Sequence, residues 1–212
     1  MNMEKKFELT DNFIINAFGV KLFQIKCTKS FKYAKEGDLG GYVEKDENLD
    51  QESDAWVSGN ARVYGYAEVA GNARVAGNAR VAGNAEVAGN ARVAGNAWVS
   101  GNARVAGNAW VSGNAEVSGD AWVSGNAEVS GDAEIDNNNK HCGFDCFGSA
   151  NRHTHAYLTK ENKVEITCGC FRGSIEEFEK RVEETHSGTI YEKQYKAIID
   201  VIKIKFGLTD LI

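Results

Sequence analysis

Residues 55–135 repeat a six-residue pattern in which one branched apolar residue alternates with turn-forming and polar positions. The consensus is Val-(Ala/Ser)-Gly-(Asn/Asp)-Ala-X, and the branched residue recurs at every sixth position from Val57 to Val129 and again at Ile135. Gly-Asn and Gly-Asp tolerate a positive φ, so each unit predicts a short strand followed by a corner. A short fixed period predicts a solenoid whose units bury their apolar sides against each other.

Within each unit, only the branched residue and the alanine four positions later suit a core. Position X is Trp, Arg or Glu and directly precedes the branched residue. Because neighbouring side chains of a strand point to opposite faces, X is expected to face solvent.

This spacing of a branched and a small residue resembles the hexapeptide-repeat family of left-handed parallel β-helix proteins. The resemblance implies triangular 18-residue turns of three units each, so that the 14 units here make between four and five turns. A flattened 12-residue coil with two units per turn is the alternative, and it would stack Trp98, Trp110 and Trp122 in one ladder. Three Val and three Ala per layer fill a triangular prism better than two of each fill a slab, which favours the triangular turn.

An 18-residue turn sorts the X positions onto three faces. The first face carries Trp56, Arg74, Arg92, Trp110 and Glu128; the second Arg62, Arg80, Trp98, Glu116 and Glu134; the third Glu68, Glu86, Arg104 and Trp122. Exposed tryptophans where arginine gives way to glutamate predict a protein interface. The family resemblance implies a homotrimer, and scattered aromatic residues on a monomer are the alternative.

Residues 1–42 predict an N-terminal β-hairpin cap that turns near residues 16–19. Such a cap would cover the first layer of the β-helix, which we place at residues 43–136. Val43 and Leu49 continue the six-residue spacing, with a two-residue slip before Val57. The segment Gly37-Asp-Leu-Gly-Gly-Tyr-Val43, with Asn48-Leu49 and Ala55-Trp-Val57, resembles the YdcK-like branch of bacterial and phage hexapeptide-repeat proteins.

Residues 137–212 leave the repeat and predict a small α+β domain with two helices. A linker at residues 137–140 precedes short strands at residues 156–158 and 163–167. Ser174 and Glu177 form a capping box for a helix ending near Gly188, and a second helix is expected at about residues 190–205. Gly148-Ser149, Arg152 and Thr154, followed by Cys168-Gly-Cys-Phe-Arg-Gly-Ser-Ile-Glu-Glu-Phe178, resemble a C-terminal module of phage-encoded repeat proteins.

Composition narrows the function classes. The 212 residues carry a net charge of −6 without any basic segment, which excludes a general nucleic-acid binder. We expect a cytoplasmic protein, in the host cytoplasm if phage-encoded, because there is no long apolar run and the first six residues are too polar for a signal peptide. Five cysteines without an export signal favour reduced thiols over disulfides.

The histidines argue against an enzyme. The resemblance implies that acyltransferases of this family use a histidine between coils as general base, often beside a loop that breaks the repeat. All four histidines of this chain (His141, His153, His155 and His186) lie outside the repeat, which has no inserted loop. We therefore expect no catalytic residue; a relative of the acyl- or nucleotidyl-transferases is the alternative.

Two binding sites are conceivable in the C-terminal part. Zinc is the weaker one, because the spacing of Cys142, Cys146, Cys168 and Cys170 is not that of zinc knuckles, and we predict no cofactor. An anion site is favoured, because the backbone N–H groups at the start of a helix are free to bind an anion next to the residues that precede the helix. The ligand-binding residues that we predict are Arg152, His153, Thr154, His155, Phe171, Arg172 and Ser174.

These features favour a non-catalytic binding protein whose coil self-associates and whose C-terminal domain captures a small, anionic, nucleotide-like ligand. The resemblance to phage-encoded proteins suggests the sequestration of a host defence signal nucleotide. A purely structural spacer or assembly module is the alternative. No membrane partner is expected.

Overall fold

The computed structural model describes residues 5–208, and residues 1–4 and 209–212, the outer ends of the predicted cap and C-terminal domain, lie outside it. The chain begins with a meander of three antiparallel strands, β1 (Phe7–Ile15), β2 (Lys21–Cys27) and β3 (Leu39–Val43). The first two form the expected hairpin, with Gly19 at a positive φ of 79° in its turn.

A parallel β-solenoid of fourteen two-residue strands follows the meander. These strands, β4 to β17, are Trp56–Val57, Arg62–Val63, Glu68–Val69, Arg74–Val75, Arg80–Val81, Glu86–Val87, Arg92–Val93, Trp98–Val99, Arg104–Val105, Trp110–Val111, Glu116–Val117, Trp122–Val123, Glu128–Val129 and Glu134–Ile135. Each strand from β4 to β14 pairs in parallel with the third strand after it, as Arg92 does with Trp110 in the next coil. The 18-residue turn and the three predicted faces are therefore confirmed, and the 12-residue coil is excluded.

The branched residues form the core of the solenoid. Every one from Val57 to Ile135 has 0% exposed surface, and the alanines of the repeat are buried with them. Most X residues are exposed or partly exposed, as expected. Trp56 is the exception at 5%, because Phe31 of the preceding loop packs on it with ring centroids 5.4 Å apart.

The first coil contains the predicted two-residue slip. Val43 pairs with Val63 and Leu49 with Val69, so each of these pairs spans two more residues than the regular pair of Val57 with Val75. The buried ammonium of Lys6 donates to the carbonyls of Ser53 at 2.7 Å and Ala55 at 2.9 Å, which holds the inserted residues in place. Burial lowers the pKa of this lysine to about 8.

The corners of the solenoid require glycine for two separate reasons. Gly95 has φ +68°, and a Cβ there would lie 3.0 Å from the backbone nitrogen and oxygen of Gly113 in the next coil. Gly188, after the first C-terminal helix, has φ +74° but open space around it. A side chain at Gly188 would therefore be unfavourable only because of the positive φ, whereas a side chain at Gly95 would also collide with the next coil.

We expect Gly95→Ala to lower the free energy of unfolding by about 1–3 kcal/mol more than Gly188→Ala. Both variants pay about 1–2 kcal/mol for the left-handed conformation, but only the first must also push two coils apart. Urea unfolding of both variants measures the difference. Equal losses would show that the coils do not depend on their close approach.

Asparagine ladders run along the corners and end in carboxylates. One ladder joins Asn60, Asn78, Asn96, Asn114 and Asp132, each amide donating to the next coil over 3.1–3.3 Å. The other two end at Asp120 and at Asp145 of the C-terminal domain. An amide that donates forward needs an acceptor, whereas a carboxylate only accepts and can end the series. This explains why aspartate replaces asparagine only in the last units of the repeat.

The C-terminal domain packs two helices on a four-stranded antiparallel sheet. The strands are β18 (His141–Phe147), β19 (Arg152–Leu158), β20 (Val164–Cys168) and β21 (Phe171–Gly173), paired in that order. The helices, α1 (Ile175–His186) and α2 (Ile190–Lys205), agree with the predicted bounds, and the capping box of α1 is present. The fold class expected from the sequence is thus confirmed. Neither helix of residues 5–208 has the length and hydrophobicity needed to cross a bilayer.

Residues 137–140, predicted to be a linker, connect β17 to the C-terminal domain through an ordered helical turn. Asn138–Lys140 form a 3-10 helix, which Asn137 caps by accepting from the backbone nitrogen of Asn139 at 2.8 Å. The side chain of Asn138 accepts from the backbone nitrogen of Trp122 at 2.8 Å, at the edge where the next coil would pair. The C-terminal domain therefore sits directly on the last coil.

Candidate functional site

Strand β19 divides the predicted site residues between its two faces. Thr154 and Ala156 point toward the helices, where the Thr154 hydroxyl donates to Cys168 Sγ at 3.3 Å. His155 and Tyr157 point toward the solenoid, and Tyr157 belongs to the solenoid core. Alternation along the strand thus places Thr154 and His155 in two different environments.

The face of the C-terminal sheet that lies against the solenoid occupies the place that a further coil would take. The carbonyl of Glu128, at the open end, accepts hydrogen bonds from His155 Nδ1 at 3.2 Å and from Thr167 Oγ1 at 2.9 Å. The Tyr157 hydroxyl lies 3.4 Å from the carbonyl oxygen of Ser130. This face is therefore a plug that satisfies the last coil, and His155, Thr167 and Tyr157 are buried in it.

His155 is a structural residue of this plug. It is 1% exposed, and burial together with the neighbouring His141 lowers its pKa to about 3. Because its Nδ1 donates to the Glu128 carbonyl, its Nε2 accepts from His141 Nδ1 at 3.0 Å. Burial also lowers the pKa of His141 to about 4, so both rings are neutral at neutral pH.

His153 belongs to the same junction. Its Nδ1 donates to the carboxylate of Asp145 at 2.7 Å, and its buried Nε2 has no partner among residues 5–208. A cavity of about 220 Å³ lies between this histidine cluster and Trp122 of the solenoid. Sequence reasoning placed all histidines away from the coil, but the fold brings His141, His153 and His155 against its end.

Arg172 and Ser174 are already engaged within the chain. Arg172 lies in β21, and its guanidinium forms an ion pair with Glu165. The backbone nitrogen of Ser174 donates to Glu177 Oε2 at 2.8 Å, and the Ser174 hydroxyl caps the backbone nitrogen of Glu177. The chain's own carboxylates thus satisfy the helix start, and the part of the predicted anion site that rested on these two residues is not retained.

A cavity of about 280 Å³ lies on the opposite side of the sheet, between β19, β20, β21 and the two helices. It brings together two of the predicted residues, Arg152 and Phe171, with Arg181 of α1 and Tyr195 of α2. Within residues 5–208, neither Arg152 nor Arg181 has an ion-pair partner. Two exposed guanidinium groups at one aromatic cavity can bind an anionic group through several N–H donors.

Aromatic rings form the wall of this cavity. The rings of Phe171 and Phe178 lie 5.0 Å apart between centroids, and those of Phe178 and Tyr195 meet edge to face at 5.6 Å. The Tyr195 oxygen lies 3.8 Å from Cys168 Sγ. Burial and this cysteine raise the pKa of Tyr195 to about 12, so its hydroxyl stays neutral. The cavity therefore has an aromatic wall with one neutral hydroxyl beside it.

The Cys168-Gly169-Cys170 motif has a specific role here. Gly169 has φ +61°, and a Cβ at this position would collide with the guanidinium of Arg152. The glycine therefore makes the turn from β20 to β21 and leaves room for Arg152 at the cavity edge. Arg181 and Tyr195 were missed from the sequence, because helical spacing alone marks them as surface and core positions.

The cysteines do not form a metal-binding cluster. All five are unpaired, with Cys168 buried near Tyr195 and with Cys146 and Cys170 exposed. Across residues 5–208, no three His, Cys, Asp or Glu side chains lie together in a way that could hold a metal ion. The set of Cys142, Cys146, Cys168 and Cys170 considered for zinc is therefore not gathered at one point.

Comparison with known proteins adds one finding about the repeat. A protein-family model described as "YdcK Beta solenoid repeat" matches residues 97–113, which lie within the solenoid. No curated protein matches the chain significantly. The family match and the regular pairing of each coil with the next together show that this is a β-solenoid repeat protein, similar in its repeat to the YdcK solenoids.

Proposed function

We propose that this protein is a non-catalytic binding protein that captures a small anionic ligand with an aromatic group, such as a nucleotide, in the cavity of its C-terminal domain. The observation that carries the proposal is the pair of guanidinium groups, Arg152 and Arg181, which lack ion-pair partners within residues 5–208 at an aromatic cavity. Arginine binds phosphate through its planar set of donors, and aromatic rings pack against a base.

The size of the cavity narrows the ligand class. Pockets for drug-sized ligands have volumes of about 300–1,000 Å³, and this one, at about 280 Å³, lies just below that range. It suits one base with a phosphate. The resemblance to phage-encoded modules favours the sequestration of a nucleotide that signals host defence as the biological version of this role.

The solenoid acts in this proposal as a rigid support. Its end is closed by the plug face of the C-terminal sheet, so that the opposite face and the helices are held in a fixed place. A binding site built on packed elements is better ordered than one on loops.

Calorimetric titration of the full chain with nucleoside monophosphates, cyclic nucleotides, an unphosphorylated nucleoside and inorganic phosphate tests this proposal. We expect Arg152→Gln and Arg181→Gln each to raise the Kd of the phosphorylated ligand by about 10-fold or more, since one charge-assisted hydrogen bond contributes about 1.5–3 kcal/mol. Lys180→Gln is the control, because it removes the same charge from an exposed neighbour in α1.

Two results would contradict the proposal. One is the absence of binding by every nucleotide in the panel. The other is binding that both arginine variants retain at the strength of the control. A protein partner captured independently of Arg152 and Arg181 would instead favour the structural spacer.

A further inference from the structure

The second face of the solenoid has a symmetric order of charge. From the N-terminal side it presents Arg62, Arg80, Trp98, Glu116 and Glu134, one residue per coil in a single continuous sheet. Two cations thus precede the tryptophan and two anions follow it at the same spacing. We call these five residues the Trp98 face.

We propose that the Trp98 face is a homodimer interface in which two copies of this chain pack antiparallel, with the two Trp98 rings at the twofold axis. In this arrangement Arg80 faces Glu116 of the second copy and Arg62 faces Glu134. A twofold axis produces each contact twice, because a residue of the first copy that contacts a residue of the second is matched by the same contact in the reverse direction. Four charge pairs therefore surround one aromatic pair.

The spacing of the coils keeps these charge pairs in register. Neighbouring strands of a sheet lie about 4.8 Å apart, so Arg80 and Glu116 lie equally far from Trp98 on opposite sides, and so do Arg62 and Glu134. By alternation, the residue after each valine lies on the same side of the strand as X, and near the axis it is small: the buried Ala82 and the partly exposed Ser100 and Ser118. Small side chains let two flat sheets approach closely.

The charges of this face are largely uncommitted within one chain. Among residues 5–208, Arg62, Arg80 and Glu116 have no ion-pair partner, and Glu134 has only Lys140, at 3.7 Å. On the other faces, the guanidinium of Arg74 lies over the ring of Tyr33 and Arg104 pairs with Glu86 at 3.2 Å. On the first face a single pair of opposite charges, Arg92 and Glu128, flanks Trp110, whereas the Trp98 face has two such pairs.

The same order of charge disfavours a homotrimer in which the Trp98 face surrounds the threefold axis. Three parallel copies would then set equal heights of this face side by side, so that arginine would lie level with arginine and glutamate with glutamate. Juxtaposed like charges are unfavourable at an interface, whereas opposite charges fix its register. The antiparallel pair removes this conflict without any change in the coil.

Sedimentation velocity of the full chain at low salt tests the dimer. We expect a dimer that weakens as salt rises. Glu116→Arg and Arg80→Glu are each expected to raise the dimer Kd about 10-fold or more, since each places like charges opposite each other. The double variant Arg80→Glu/Glu116→Arg restores opposite charges and is expected to restore the dimer. Arg92→Glu on the first face is the control and should leave the Kd unchanged.

The proposal would be overturned by a wild-type monomer at all concentrations, by a trimer, or by a dimer that the single charge reversals leave intact. Failure of the double variant to dimerise, with the single variants already weakened, would also overturn it. The dimer does not depend on the ligand proposed above, because the Trp98 face and the cavity share no residue.

Discussion

Acidification from about pH 7.5 to about pH 4.5 is expected to lower the free energy of unfolding by about 2–3 kcal/mol through His155 alone. In the unfolded chain a histidine has a pKa of about 6.5, whereas burial holds the pKa of His155 at about 3 in the folded protein. The unfolded chain therefore binds the proton first. The contribution of His155 to the free energy of unfolding is fully present above about pH 6.5. It falls as the pH drops toward the pKa of His155 in the folded protein.

Urea unfolding of the full chain at the two pH values, followed by tryptophan fluorescence, measures this effect. His155→Gln should be less stable than wild type at neutral pH but should lose less stability on acidification. Thr167→Val is the matched control, because it removes the other hydrogen bond to the Glu128 carbonyl without removing a titratable group. If His155→Gln and Thr167→Val show the same pH dependence as wild type, His155 is not the neutral residue of the plug.

Val93→Asn is expected to lower the free energy of unfolding by about 2.5–6 kcal/mol. Val93 has 0% exposed surface and pairs with Val75 and Val111 of the adjacent coils. The substitution loses about 1.5–3 kcal/mol of apolar burial and places an amide without partners in the core, at a further cost of about 1–3 kcal/mol. Thermal and urea unfolding measure the loss.

Arg92→Asn is the control for this substitution. It changes the adjacent residue of the same strand, which points outward, and it is expected to alter stability by less than about 0.5 kcal/mol. Val93→Ala supplies a milder variant if Val93→Asn does not fold, with an expected loss of about 1.5–3 kcal/mol. Equal effects of Val93→Ala and Arg92→Asn would contradict the assignment of inward and outward positions.

Most of the fold could be predicted from the sequence, because a repeated local rule determines it. Every valine inside the solenoid meets the equivalent valines of the adjacent coils, so that one unit defines the environment of all the others. The helices were predictable for a similar reason, since the Ser174 capping box and the apolar spacing of α2 are local signals.

The junction between the solenoid and the C-terminal domain could not be predicted, because it depends on contacts between distant segments. His155 was interpreted as part of a polar ligand site, and only the paired strands reveal that it faces the Glu128 carbonyl 27 residues earlier. The Asp145 carboxylate likewise ends a corner ladder that begins in the repeat. No spacing in the sequence signals either contact.

Only two of these four residues of the candidate cavity were predicted from the sequence. Arg152 and Phe171 were chosen for their chemistry, whereas Arg181 and Tyr195 join them through the packing of the two helices on the sheet. Gly169 lies at the turn between β20 and β21, with φ +61°. Its second role, to leave room for the Arg152 side chain, required the three-dimensional structure.

Native mass spectrometry of the full chain purified from cells tests ligand binding by the C-terminal cavity, because it reports the subunit count and any bound mass in one spectrum. We expect an additional mass in the range of a nucleotide on wild-type protein, lost in the Arg152→Gln/Arg181→Gln double variant while the subunit count is unchanged. Wild-type protein without a bound mass after incubation with the nucleotide panel would contradict the proposed function. So would a bound mass that the double variant retains in full.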